Sequence, residues 1–261
     1  MDYWSIRLRK KPSRGGEVSM TLTTVELDNV DLKFPRSSGL LSSIKSIFGK
    51  KKEGFTALQN INLKVNSGEV IGVIGRNGSG KSTLLRVIAG IYPTDEGTCK
   101  VRGEISLLSG LGTGFSRHLS GRENAILYGS ILGHSIQTME NYMPEIIDFS
   151  ELGEFIDQPL RTYSAGMKAR LGLAVASAIK PEILLVDEVL GVGDPNFREK
   201  SMDRILSMVE DAGTVVIVSH SFALMKKICS RMVLIDKGKI VEEGDCDLVI
   251  SAYYDLYPKK V

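Results

Sequence analysis

The nine residues GRNGSGKST, at positions 75–83, decide how the chain folds. They match the pattern G-x-x-x-x-G-K-[ST] and stand between an apolar run, VIGVIG, and a segment of helical periodicity, KSTLLRVIAGIY. A glycine-rich turn from a strand into a helix brings backbone N–H groups and the positive end of the helix close to a phosphate. The pattern therefore predicts a phosphate-binding loop. We assign nucleotide contacts to Gly75, Arg76, Asn77, Gly78, Ser79, Gly80, Lys81, Ser82 and Thr83.

Two side chains of this loop have separate predicted tasks. The ammonium group of Lys81 would reach the β- and γ-phosphates of a nucleotide, and the hydroxyl group of Ser82 would bind Mg²⁺. A glycine-rich turn that matches by coincidence is the alternative, and the strand-to-helix context argues against it.

The segment ILLVDE, residues 183–188, predicts a buried strand that ends in two acids. Charged groups do not end a buried strand without a partner. Asp187 is expected to hold Mg²⁺ through water, and Glu188 to polarise an attacking water as general base. A third apolar run, TVVIVSH, ends in His220, which is expected at the same sheet edge, where it could contact the γ-phosphate.

Strands that alternate with helices predict an α/β fold with a parallel sheet. The segment TLTTVELDNVDLKF predicts an opening strand, and MVLIDKGKIVEEG predicts a hairpin with KG at its turn. Residues 115–165 are mostly helical in pattern and predict a helical lobe inserted into the sheet domain.

Composition limits the class of protein. Of the 261 residues 43% are apolar and 25% charged, which is typical of a globular domain, and the net charge of +2 gives no drive toward nucleic acid. The cysteines at 99, 229 and 246 form no CxxC pair, so reduced thiols are expected, and no apolar run has the length of a membrane span.

The expected domain limits follow from these patterns. Residues 1–19 are basic and predict a disordered tail, or a start codon placed too early with Met20 as the true start. Residues 20–250 are expected to form an ATPase domain, followed by a short C-terminal tail at 251–261.

The segment RTYSAGMKAR, residues 161–170, opens a helix with small residues. An uncovered helix N-terminus suits an anion, although Ser164 could equally serve as a plain N-cap. The two interpretations do not exclude each other.

Taken together, these motifs resemble those of an ATP-binding-cassette (ABC) ATPase, over about residues 22–250. YSAGM at 163–167 is similar to the family signature, usually written LSGGQ, and Asp194 falls on the family's D-loop aspartate. Phe34 matches the aromatic residue that stacks on adenine. The resemblance implies a P-loop NTPase (RecA-like) parallel-sheet core with an N-terminal antiparallel β-subdomain and an inserted helical subdomain.

The resemblance also implies ATP and Mg²⁺ as ligands and a homodimer of two cassettes packed head to tail. The signature residues of one copy would then meet the γ-phosphate bound by Lys81 of the other. These residues are Ser164, Ala165, Gly166 and Met167.

A narrower resemblance is to the subfamily that exports polysaccharides and polyol phosphates, such as O-antigens and teichoic acids. It rests on YSAGMKARL, DEVLGVGDPNFREK and LSGRENAILYGSILG. It implies a subunit on the cytoplasmic face of the membrane, bound to a separate multi-span permease in two copies that handles the lipid-linked glycan. Two departures are Ala165 at the centre of the signature and the lack of a Q-loop glutamine in ISLLSGLGTGFSRHL, where only Ser109 and glycines stand.

The segment LLSSIKSIF, residues 40–48, places its apolar residues on one helical face and is followed by GKKK. Such a helix could lie at the membrane surface or under the permease, or pack as a satellite helix on the ATPase core.

Two other functions remain open for the chain at this point. One is the ATPase subunit of an importer for a small solute. The other is a soluble cassette protein without a permease, although such proteins usually carry two cassettes or a long coiled-coil insertion.

Overall fold

The computed structural model describes residues 22–35, 54–112, 114–187 and 195–258, and this part of the chain forms nine β-strands and seven α-helices. The strands are β1 (Thr23–Phe34), β2 (Phe55–Asn66), β3 (Val70–Ile74), β4 (Glu96–Val101), β5 (Ile105–Leu108), β6 (Ile183–Asp187), β7 (Thr214–Val218), β8 (Arg231–Asp236) and β9 (Lys239–Gly244). The helices are α1 (Lys81–Ile88), α2 (Gly121–Ile131), α3 (Ile136–Ser150), α4 (Ala165–Ala178), α5 (Pro195–Asp211), α6 (Phe222–Ile228) and α7 (Cys246–Leu256).

A six-stranded sheet in the order β5-β6-β7-β3-β8-β9 forms the centre of the molecule. It is parallel from β5 to β8, and β9 adds an antiparallel edge. The inner strands are apolar on both faces because helices or a second sheet cover each side. Along β6, Leu184 and Val186 enter one core, and Ile183 and Leu185 enter the other. The predicted parallel sheet is confirmed.

A smaller antiparallel sheet, in the order β2-β1-β4, packs with α1 over one face of the central sheet. Alternate residues of β1, including Val25 and Leu27, are buried in the shared core, and the residues between them are more exposed. This sheet confirms the antiparallel β-subdomain. Its third strand, β4, follows α1 and was not predicted from the sequence.

Helices α2, α3 and α4 lie between β5 and β6, where the sequence predicts a helical lobe, and α4 extends beyond residue 165 to Ala178. The predicted hairpin is also present, as β8 and β9. Its turn residues Lys237 and Gly238 have φ values of 48° and 78°, as a two-residue hairpin turn requires.

The C-terminal end differs from the prediction. The expected boundary at residue 250 falls inside α7, which runs from Cys246 to Leu256, so residues 251–256 belong to a packed helix rather than to a tail. The sequence patterns predict no element after the last strand-like segment, so the eleven residues of α7 are missed there. Several predicted features lie outside the described residues: the tail at 1–19, the apolar helix at 40–48, Glu188 and Asp194. No helix in the described ranges combines the length and the apolar content needed to span a bilayer.

Asn124, on α2, is fully buried, and we expect its hydrogen bonds to contribute to the free energy of unfolding. Its Oδ1 accepts the N–H of Ser116 at 2.7 Å, and its Nδ2 lies 2.8–3.1 Å from the carbonyl oxygens of Ser116, Leu119 and Ser120. Because Asn124→Ala leaves these groups unpaired, we expect it to lower the free energy of unfolding by about 2–3 kcal/mol. Urea denaturation measures the change. The exposed Asn141 on α3 is the matched control, and an equal loss in Asn141→Ala would contradict this account.

Candidate functional site

The phosphate loop lies against β8 and β2, and two of its glycines are required by that packing. Gly75 has φ 153°, and a Cβ there would lie 2.2 Å from the carbonyl oxygen of Ile235. Gly80 has φ 115°, and a Cβ there would lie 2.9 Å from the carbonyl oxygen of Ala57. No other residue fits these backbone positions without moving a neighbouring strand.

Lys81, the first residue of α1, is nearly buried, with 5% of its surface exposed. Its Nζ donates to the carbonyl oxygens of Gly75 at 2.9 Å and Arg76 at 3.0 Å. The ammonium group is thereby folded over the loop, and its contact with phosphates stays a prediction. These bonds also fix the start of the loop relative to α1.

Three oxygen-bearing side chains converge beside the loop. Asp187 ends β6, and its Oδ1 accepts the hydroxyl group of Ser82 at 3.0 Å. Its Oδ2 accepts the hydroxyl group of Ser109 at 3.1 Å. The structure therefore brings together Ser82 and Asp187, the two residues predicted to hold a metal ion, and adds Ser109 to them.

In the sequence, Ser109 is only the polar residue that stands where the resemblance leads one to expect a glutamine. It follows β5, and β5 is the neighbour of β6 in the sheet. The ends of adjacent parallel strands meet at one edge, so the pairing of these two strands places Ser109 against Asp187. Carboxylate and hydroxyl oxygens are hard ligands of the kind that Mg²⁺ accepts, and the set fits that ion when phosphate oxygens complete it.

Two aromatic residues near the loop, Phe34 and Phe55, differ in what their rings contact. The half-buried ring of Phe34 packs edge-to-face on Tyr92, with 5.3 Å between ring centroids. Phe55 pairs with Phe34 across β1 and β2, is 56% exposed, and borders a cavity of about 190 Å³. The other residues of this cavity are Ala57, Gly78, Gly80, Lys81, Ser82 and Thr83.

His220 follows β7 and is exposed. Strand β7 lies between β6 and β3, and Val218 pairs with both Asp187 and Val73. His220 therefore leaves the sheet at the edge that carries Asp187 and the phosphate loop, as the sequence predicts.

The signature segment opens α4. Ser164 is the N-cap, and its Oγ accepts the N–H of Met167 at 3.1 Å. Ser164 and Ala165 are exposed. The hydrogen bonds that Ser164 accepts, from Met167 and Lys168, are made within α4. The capping interpretation is therefore confirmed, while a contact with a second copy stays a prediction.

The space around Gly166 would accept a larger side chain. A Cβ built there would meet only the Ser164 Oγ, at 3.8 Å, which is ordinary van der Waals contact. Glycine in the middle of a helix costs about 0.5–1 kcal/mol relative to alanine, and the cost is smaller in the first turn, where Gly166 stands. The described residues therefore give no steric reason for a glycine at position 166.

A parallel sheet whose central strand leads through a glycine-rich loop into a helix, with Lys81, Ser82 and Asp187 at one edge, defines a P-loop nucleotide-binding protein. The family model described as ABC transporter matches residues 58–191. The chain belongs to the ABC transporter family, which confirms the resemblance found in its motifs.

The curated relatives include proteins of two export systems. The chain is 46% identical over 198 residues to the O-antigen export system ATP-binding protein RfbB of Myxococcus xanthus, covering 76% of this chain and 45% of that protein. It is 37% identical over 238 residues to the teichoic acids export ATP-binding protein TagH of Bacillus anthracis, covering 90% of this chain and 43% of that protein. It is 38% identical over 235 residues to the O-antigen export system ATP-binding protein RfbE of Yersinia enterocolitica, covering 85% of this chain and 98% of that protein. The chain thus spans about half the length of the first two relatives and nearly all of the third.

Among solved structures, the chain is similar to the ATP-binding cassette MJ0796, described as a dimer in a post-hydrolysis state bound to ADP and Pi. The TM-score is 0.66 at 24% identity, over 85% of this chain and 98% of that one. This likeness confirms the predicted fold.

Proposed function

We propose that this chain is the ATP-hydrolysing subunit of an ABC exporter that moves a lipid-linked polysaccharide or polyol phosphate across the cytoplasmic membrane. The observation that carries the proposal is the convergence of Ser82, Asp187 and Ser109 beside the phosphate loop. The choice of cargo is supported by the kinship with O-antigen and teichoic acid export proteins.

The phosphate loop and Lys81 bind the phosphates of ATP in this proposal. Ser82, Asp187 and Ser109 would hold Mg²⁺. The ion would supply the positive charge that offsets the negative charge of the phosphates. Glu188, the residue after Asp187, polarises the attacking water, and His220 orients it toward the γ-phosphate.

The unexplained glycine at 166 supports a site shared by two copies. A glycine that the chain itself does not need suits a close approach from outside, and the N-terminus of α4 is an anion-binding position. We infer that Ser164, Gly166 and the neighbouring N–H groups contact the γ-phosphate of the ATP held by Lys81 of the second copy. Asp194 would lie at the same dimer contact.

The remaining parts of the proposal concern the membrane. The chain acts at the cytoplasmic face, on a separate permease present in two copies, and the permease handles the glycan. Residues 40–48 stay a predicted contact to the membrane or to the permease.

Phe55 is the better candidate for stacking on adenine, because it borders the cavity above the loop. Stacking of a base on an aromatic side chain contributes about 1–3 kcal/mol. We therefore expect Phe55→Ala to raise the KM for ATP by about tenfold with little change in kcat. Steady-state hydrolysis measures both constants. Phe34→Ala is the paired variant, and a larger rise in KM there would return the role to Phe34.

The export function is tested in cells in which Glu188→Gln is the only copy of the protein. We expect a lipid-linked glycan or polyol phosphate to accumulate, because ATP still binds while hydrolysis stops, and mass spectrometry of lipid extracts identifies it. Glu210→Gln, an exposed change on α5, is the matched control. An unchanged lipid-linked pool, with purified wild-type protein hydrolysing ATP, would overturn the exporter assignment and favour the importer or the soluble cassette protein.

A further inference from the structure

The end of the C-terminal helix lies against the phosphate loop. Tyr257 follows α7, and the guanidinium group of Arg76 lies over its ring, 5.2 Å from the centroid. Arg76 is the second residue of the loop. The hydroxyl group of Tyr257 donates to Oδ1 of Asp236 at 2.5 Å. One side chain thus touches the loop and the end of β8 at the same time.

Arg76 and Asp236, the two residues that the Tyr257 side chain contacts, are each tied to the phosphate loop by further hydrogen bonds. The carbonyl oxygen of Arg76 accepts the ammonium group of Lys81 at 3.0 Å. Asp236 begins the hairpin turn, in which the N–H of Gly238 donates to the carbonyl oxygen of Ser79 at 2.8 Å. The contacts of Tyr257 therefore reach both halves of the loop.

The same helix is linked to the segment that carries His220. Tyr253 on α7 packs on Tyr257, with 5.1 Å between ring centroids, and on Phe222, also at 5.1 Å. Phe222 is the first residue of α6 and stands two positions after His220. Helix α7 thus bridges two segments that bring residues to the candidate ATP site.

The phenol group of Tyr257 keeps its proton near pH 7, which favours its contacts with Asp236 and Arg76. Burial, together with the hydrogen bond to Asp236, raises its pKa to about 12. The phenol is therefore neutral near pH 7 and donates to the Asp236 carboxylate. Its ring face attracts the cationic guanidinium group of Arg76.

We propose that Tyr257 is a positioning residue for ATP binding, which holds Arg76 and thereby keeps the phosphate loop in the conformation that receives the phosphates. The inference rests on the proposed function in one respect, namely that the loop binds ATP.

The test is a double-mutant cycle on the full chain, read out by the Kd for ATP in calorimetry and by KM and kcat for hydrolysis. We expect Tyr257→Ala to raise the Kd and KM by about tenfold, with kcat changed by less than about twofold. Arg76→Ala should raise the Kd and KM at least as much, because Arg76 is itself assigned a nucleotide contact, and the double variant should be no weaker than Arg76→Ala. Tyr257→Phe keeps the ring over Arg76 and should show a smaller rise.

Tyr254→Ala is the control within the same aromatic cluster. Tyr254 packs on Phe222 and Tyr253, and we expect its Kd for ATP to equal that of the wild type. The proposal is overturned if Tyr257→Ala binds ATP as tightly as the wild type, or if the effects of Tyr257→Ala and Arg76→Ala add. Should Tyr257→Ala fail to fold, Tyr257→Leu takes its place in the cycle, because leucine keeps an apolar side chain but removes the ring face from Arg76, and the same rule decides. A wild-type chain that does not bind ATP would instead contradict the proposed function itself.

Discussion

Gly166→Asp is expected to reduce ATP hydrolysis by about a hundredfold or more while leaving the fold at least as stable as before. Gly166 is at the second position of α4, where the structure has room for a side chain. A carboxylate near a helix N-terminus contributes about 0.3–1 kcal/mol of stability, and loss of the glycine adds to it. In the proposed dimer, however, that carboxylate would meet the γ-phosphate of the partner's ATP, where like charges repel.

Thermal unfolding and steady-state hydrolysis, measured on the same preparations, separate these two effects. Gln137→Asp is the matched control, because Gln137 is exposed at the equivalent second position of α3. Gly166→Ala tests size without charge and should fall between the wild type and Gly166→Asp. Wild-type hydrolysis in Gly166→Asp would show that the N-terminus of α4 takes no part in the site.

Lys81→Ala is expected to lower ATP hydrolysis by about a hundredfold or more, and to weaken ATP binding as well. The substitution removes a nearly buried charge and the bonds from Nζ to the carbonyl oxygens of Gly75 and Arg76. The loop loses both its contact with the phosphates and the side chain that closes it.

Equilibrium binding of ATP and steady-state hydrolysis check this expectation. Lys180→Ala is the control, since Lys180 is exposed and forms a surface ion pair with Asp211. If Lys81→Ala were saturated by ATP at the wild-type concentration and hydrolysed it at the wild-type rate, the loop would not be the nucleotide site.

Much of the fold could be predicted because its patterns are local. The segment GRNGSGKST is flanked in the sequence by a predicted strand and a predicted helix. The apolar run that ends at Asp187 and the KG turn of the hairpin are equally self-contained. In each case the residues that fix the structure are neighbours in the chain.

The missed features depend on contacts between distant segments. Ser109 meets Asp187 only because β5 pairs with β6. Phe55 and Phe34 are paired across two strands, and the sequence does not say which ring borders the loop. Tyr257 reaches Arg76 because α7 packs back toward the hairpin. This contact depends on tertiary packing and cannot be predicted from a local sequence pattern.

The central claim is that each ATP is bound between two copies of the chain, and mixing the two inactive variants tests it directly. In a head-to-tail dimer of Lys81→Ala with Gly166→Asp, one site carries both defects and the other carries neither. With equal amounts of the two variants and random pairing, we expect hydrolysis to return to about a quarter of the wild-type rate. A mixture no more active than either variant alone would contradict the shared site and would place Lys81 and Gly166 of the same copy at one ATP.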